Sequence, residues 1–188
     1  MILAYLRERF PASFFGPLGL LLAACALDWP AGPVELAATA LAALFLLAQF
    51  RIWDDLADRR KDAVAHPHRV LARAETHHAL LGLGIALMAL NATIAAQRDA
   101  SFVSVVLLGA LHTALGGYYL LRHRRTVLGD QVLLAKYPAF VFILAGERLT
   151  ASPLPLALTA AVVYAAASAY EAWHDPVSPL AQLIGGRS

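Results

Sequence analysis

Long apolar stretches separated by short polar ones set the pattern of this chain. Six stand out, at positions 12–27, 34–50, 79–97, 102–121, 127–145 and 154–170. A bilayer crossing takes about 20 mostly apolar residues, within a range of roughly 17–25. Ala and Leu dominate the stretches and strand-like alternation is absent, so each reads as a helix. A helix also satisfies every backbone polar group internally, which lipid requires. The first two stretches are short and are expected to extend into their flanks; the fifth is interrupted by Asp130 and Lys136. Pro30, Pro33 and Pro153 lie at the edges of spans, where a proline breaks a helix cheaply. The expected fold is all-α, a polytopic transmembrane helical bundle of about six spans, forming a single integral-membrane domain over 1–188.

Composition sharpens this picture. The chain is 60% hydrophobic and 15% charged, with a mean hydropathy of +0.62. Soluble domains average roughly 45–50% apolar and about 25% charged. A net charge of +2 excludes a nucleic-acid binder read from charge. The single cysteine, Cys25, excludes an internal disulfide or a thiolate cage.

The basic residues fix an orientation. Arg7, Arg9, Arg51, Arg59, Arg60, Lys61, Arg69, Arg73, Arg122, Arg124, Arg125 and Arg187 all fall on one side of a six-span topology, 12 of the 15. Arg98 and Arg148 fall on the other, and Lys136 lies within a span. The positive-inside rule then places both termini in the cytoplasm, in what is expected to be a bacterial inner membrane. Arg7 and Arg9, an apolar run and Leu22-Ala23-Ala24-Cys25 also fit a lipoprotein signal cleaved before cysteine. The six-span alternation, which needs the first segment retained, is the preferred reading.

Two acidic clusters carry the candidate chemistry. The first, over 54–62, reads Asp-Asp-Leu-Ala-Asp-Arg-Arg-Lys-Asp. On a helix Asp54, Asp58 and Asp62 share one face, with Asp55 alongside Asp58. Like charges so spaced repel unless a cation sits among them. Hard carboxylate oxygens suit Mg2+. The competing reading is a solvated helix end with ordinary surface pairs. The second cluster is Glu171-Ala172-Trp173-His174-Asp175, with its two carboxylates one turn apart. Its plain reading is a membrane-boundary helix end with Trp173 as an aromatic anchor. Topology favours the metal reading, because spans two and six end on the same face. Lys136 and Asp130 are costly intramembrane charges that mark either a functional path or a structural pair. The histidines at 66, 68, 77, 78 and 112 lack metalloprotease spacing and read as loop or interface residues.

The run Asp54 to Asp62 resembles the first aspartate-rich motif of the UbiA superfamily of intramembrane prenyltransferases, which usually opens with Asn where Asp54 stands. Arg7 before Pro11 resembles the start of the family's first helix. Arg69 resembles the basic half of its Arg-Pro pair, although Val70 replaces the proline. Tyr118 with Arg122 is similar to the Tyr and basic residue closing its fourth helix. Glu171 and Asp175 fall where a reduced second motif belongs. The resemblance implies a UbiA-like but truncated bundle, shorter than its usual members, completed by a second copy or a partner membrane subunit. It implies Mg2+ held by Asp54, Asp55, Asp58, Asp62, Glu171 and Asp175, with Asp55, Asp58, Asp62 and Asp175 as catalytic residues. Arg7, Arg69, Arg122 and Lys136 would bind the diphosphate of an isoprenyl substrate. Ionisation would give an allylic cation, shielded by rings among Tyr118, Tyr119, Tyr137, Phe140, Tyr164 and Tyr170, for capture by a lipophilic, often aromatic, acceptor. The alternatives are a non-catalytic membrane subunit or lipid-binding scaffold and, on the buried charges alone, a transporter.

Overall fold

A computed structural model describes residues 1–122, 124–176 and 178–185; Arg187 lies outside them. The described residues form helices and no strand. In chain order these are α1 (Ile2–Arg9), α2 (Ala12–Ala26), α3 (Pro33–Ala57), α4 (Arg59–Ala65), α5 (Val70–Arg73) and α6 (His78–Arg98). There follow α7 (Val103–Leu121), α8 (Val127–Leu134), α9 (Lys136–Ala145), α10 (Arg148–Ala151), α11 (Pro153–His174) and α12 (Pro179–Gly185). Five segments are long and apolar enough to cross a bilayer: α3, α6, α7, the α8–α9 pair and α11. A sixth appears if α1 and α2, bent by 71° at their break, count as one. Outward-facing apolar residues such as Leu81, Ile85, Met88 and Val162 suit contact with lipid. The chain is thus built as a polytopic integral membrane protein.

The helices group into two compact units, Met1–Ala24 with Asp28–Gln97, and Cys25–Leu27 with Arg98–Ser188. In the first, Pro11 ends α1 and starts α2. At about 1.5 Å per residue, the 15 residues of α2 span about 22 Å, short of the roughly 30 Å hydrocarbon core. α3, opened by Pro33 at its first position, has 25 residues and reaches about 37 Å. Gly19 lets α2 approach α3: a Cβ there would lie 3.0 Å from the Leu44 side chain. Tyr5, Ile52, Leu71 and Leu80 form a buried cluster joining α1, α3, α5 and α6. Deeper in the apolar zone, the Asn91 amide donates to the Gln49 side-chain oxygen at 2.7 Å, both groups buried, tying α6 to α3.

In the second unit α9 is the centre. Its Phe140, Val141, Ile143 and Leu144 are buried, with α7 and α11 packed against it. The fifth span breaks at Ala135 because Pro138 offers no N–H to the carbonyl four residues earlier and its ring crowds that turn. The break leaves Lys136 at the start of α9 and only 9% exposed.

α7 begins with a local carboxylate cap. Asp99 is buried and accepts from the backbone N–H of Ser101 at 2.9 Å, from the Ser101 hydroxyl and from the Ser104 N–H at 2.7 Å. The Ser101 hydroxyl first, then these backbone N–H groups against the opposing effect of burial, hold the Asp99 carboxyl below its usual range. A depressed folded-state pKa stabilises the fold above the unfolded value of about 3.9, and the gain fades as pH falls through the lower folded value. Asp99→Asn is therefore expected to narrow the gap to wild type on acidification from about pH 6 to about pH 3. Unfolding in detergent micelles at each pH checks this; a gap that does not shrink refutes it.

Candidate functional site

The first acidic cluster straddles the end of α3. Helical hydrogen bonding continues through it, with Asp58 N–H donating to the Asp54 carbonyl at 2.9 Å and Asp62 N–H to the Asp58 carbonyl at 2.9 Å. Asp58 itself leaves helical geometry, at φ −89° and ψ 1°, and separates α3 from α4. The spacing of four between Asp54, Asp58 and Asp62 thus survives a small break in the helix. Asp54 and Asp58 are half-buried.

Asp55 is drawn to α1. It is 5% exposed, and its Oδ2 accepts from the Tyr5 hydroxyl at 2.8 Å and from Arg9 Nε at 3.0 Å. Its Oδ1 accepts from Arg9 Nη2 at 2.7 Å, and Arg51 Nε lies 3.4 Å from Oδ2. This forked pairing is the strong form of a charge-assisted contact. Both carboxylate oxygens are thereby engaged by side chains of α1 and α3.

Asp62 accepts from Arg69 Nη1 at 2.5 Å, so this pair of expected site residues does meet. Arg59 contacts His77 Nδ1 at 2.9 Å and donates to the Ala74 carbonyl at 3.2 Å, holding the α5–α6 connection near α4. Arg7 is exposed on α1.

The second cluster is organised by a residue the sequence reading used only for orientation. Arg125, in the connection between α7 and α8, donates through Nη1 to Asp175 Oδ2 at 2.6 Å and through Nη2 to Glu171 Oε1 at 2.6 Å. Its Nε donates to Asp130 Oδ1 at 2.7 Å. Burial alone would lower the Arg125 pKa, but hydrogen bonds to Asp130 and Asp175 and their charges outweigh it, holding the guanidinium above its ordinary value. Thr126 caps α8 by accepting from the Gly129 N–H at 3.1 Å, which fixes Asp130 in the first turn. Asp130 is 2% exposed, and its Oδ2 is buried with no hydrogen-bond partner among the described residues.

Arg122 lies over the Tyr119 ring at 4.7 Å and the Tyr118 ring at 5.6 Å. The Tyr118 hydroxyl crowds Gly129, where a Cβ would overlap it. The Tyr164 hydroxyl donates to Gln131 Oε1, linking α11 to α8. Lys136 Nζ lies 5.6 Å from the Tyr137 ring centre.

Among the described residues, no group of three or more His, Cys, Asp or Glu side chains is gathered closely enough to hold a metal. The carboxylates of the second cluster stand around a guanidinium instead. No protein-family model matches the chain, and no curated protein or solved structure matches it.

Proposed function

We propose that this protein is an intramembrane transferase that moves an isoprenyl group from its diphosphate to a lipophilic acceptor, such as an aromatic ring, with Mg2+. The observation that carries the reading is the pairing of Asp62 with Arg69 just past α3, which brings together two residues of the first motif-like run. Counted through six crossings, both ends leave the bilayer on the cytoplasmic face, with both termini, in a bacterial inner membrane. Asp54, Asp58 and Asp62 near the end of α3 would hold metal in the first unit, and Glu171 and Asp175 at the end of α11 in the second. A divalent cation there would offset the charge of the departing diphosphate. Arg69, Arg122 and Lys136 would bind and orient that group, and Arg7 supplies a further cation on α1. Tyr118 and Tyr119 present ring faces that already hold a cation, the Arg122 guanidinium.

A non-catalytic subunit or lipid-binding scaffold is the second reading. It is favoured by Asp55, Glu171 and Asp175 each being paired with an arginine of the chain's own. Diphosphate release separates the two. Purified protein with Mg2+ and a panel of isoprenyl diphosphates is expected to release diphosphate, and Asp58→Ala to lower the rate by about 100-fold or more. Equal rates, or no release from any substrate, would leave the scaffold reading.

A further inference from the structure

We propose that Arg59 and His77 form a pH-dependent latch, which holds the connection between α5 and α6 against α4 and releases it when the imidazole takes up a proton. Neither residue belongs to the proposed transferase machinery. Positions 74–77 leave helical geometry between two buried anchors, Leu71 on α5 and Leu80 on α6. Arg59 reaches across to them from α4. Its Nη2 donates to the Ala74 carbonyl at 3.2 Å, and its Nη1 meets His77 Nδ1 at 2.9 Å. Among the described residues, no other side chain hydrogen-bonds this connection.

The chemistry of the pair sets its protonation state. A guanidinium carries only donors and keeps its charge. His77 Nδ1 must therefore present its lone pair to Arg59, which leaves the ring neutral with its one proton on Nε2. A second proton goes to Nδ1, where it points at Arg59 Nη1. Donor then faces donor, and cation faces cation. The groups around the ring do not offset that charge. Arg59 lies beside it, the His78 ring stacks on it at 5.4 Å, and no carboxylate is paired with it among the described residues. On α4, Asp62 is taken up by Arg69; Arg73 on α5 and Glu75 on the connection are exposed. The His77 carbonyl accepts from the N–H groups of Leu80 and Leu81 at 3.1 and 3.0 Å, so the residue also stands at the positive end of α6.

Loss of the contact frees the connection rather than the helices. α5 keeps the Asp62–Arg69 pair and the Val70 N–H donating to Glu8 Oε2 at 3.0 Å, and α6 keeps Leu80 in the buried cluster. What moves is one edge of an open cleft of about 460 Å3, lined by Met1, Val70, Arg73, Ala74, Glu75 and Thr76. Three of these, at 74–76, belong to the connection, so the latch sets the width of the cleft. A histidine changes charge between about pH 5 and 8, which puts the switch in the physiological range.

The test uses the full chain in detergent micelles, carrying Cys25→Ser and Thr76→Cys with a nitroxide label on the thiol at the exposed position 76. The paramagnetic resonance line shape is recorded at about pH 8 and about pH 5.5, on either side of the usual histidine titration. Acidification is expected to raise the mobile fraction by about threefold or more. Adding His77→Asn, whose side-chain oxygen accepts from Arg59 and does not titrate, is expected to keep the alkaline line shape in both buffers. Adding Arg59→Ala is expected to give the mobile line shape in both. Adding His78→Asn is expected to leave the response intact. An unchanged line shape on acidification, a response that survives His77→Asn or is lost in His78→Asn, or a connection that stays immobile in Arg59→Ala overturns the proposal. Should Arg59→Ala fail to fold, the comparison of His77→Asn with His78→Asn decides.

Discussion

Arg9→Ala is expected to destabilise the first unit by about 3–5 kcal/mol, the range for stripping one partner from a buried ion pair. The magnitude follows from what remains. Asp55, with its side chain 6% exposed, would lose both its short guanidinium contacts and keep the Tyr5 hydroxyl and a more distant Arg51. Burying a carboxylate so poorly compensated is far costlier than losing a surface pair, which is worth about 0–1 kcal/mol. α1 would also lose its charged tie to α3, leaving the Tyr5 hydroxyl and the apolar cluster to hold it. Denaturation of the micelle-bound protein with increasing dodecyl sulfate, followed by helix signal, measures the loss. A loss below about 1 kcal/mol would mean that water reaches Asp55 and that the pair is no more than a surface contact.

Gly146→Ala comes next in size, for a different reason. Gly146 sits at φ +58° and ψ −130°, a region open essentially to glycine alone. A Cβ there would lie 2.7 Å from the Arg98 carbonyl oxygen, a backbone atom that no side-chain rotation can move aside. Backbone strain alone costs about 1–3 kcal/mol, and the overlap adds to it. Thermal unfolding in micelles is expected to show a lower midpoint for this variant. Gly82→Ala, at an α6 position with nothing within 4 Å of an added Cβ, serves as the control with no expected loss. Equal midpoints for the two variants would show that the turn after α9 rearranges freely.

The spans were legible because a bilayer imposes one simple demand, apolar length, and the chain meets it with Ala and Leu. Their ends were less so. Position 50 looked like the limit of the second span because Arg51, Asp54 and Asp55 follow, yet α3 runs on to Ala57. It does so because Asp55 finds Tyr5 and Arg9, contacts that span 50 and 46 residues of sequence. The same distance hid Arg125: in a short basic connection it signals orientation, and nothing nearby reveals a fork reaching 46 and 50 residues ahead. Its partner Asp130, five residues on, is the one local clue, and by sequence it marks either a functional path or a structural pair. The residue types at both acidic clusters were legible in full. Which cation each carboxylate meets was not, because that depends on side-chain direction at helix ends, where period and composition carry no information.

The Asn91–Gln49 contact bears on how the chain is made. Each of these amides, entering hydrocarbon by itself, meets nothing that satisfies it, and lipid association between helices otherwise rests on shape alone. Sliding or rotating either helix by one residue would separate the two groups. Mating them thus selects a single alignment once the second of the two segments is inserted, giving this half of the molecule a checkpoint during biogenesis.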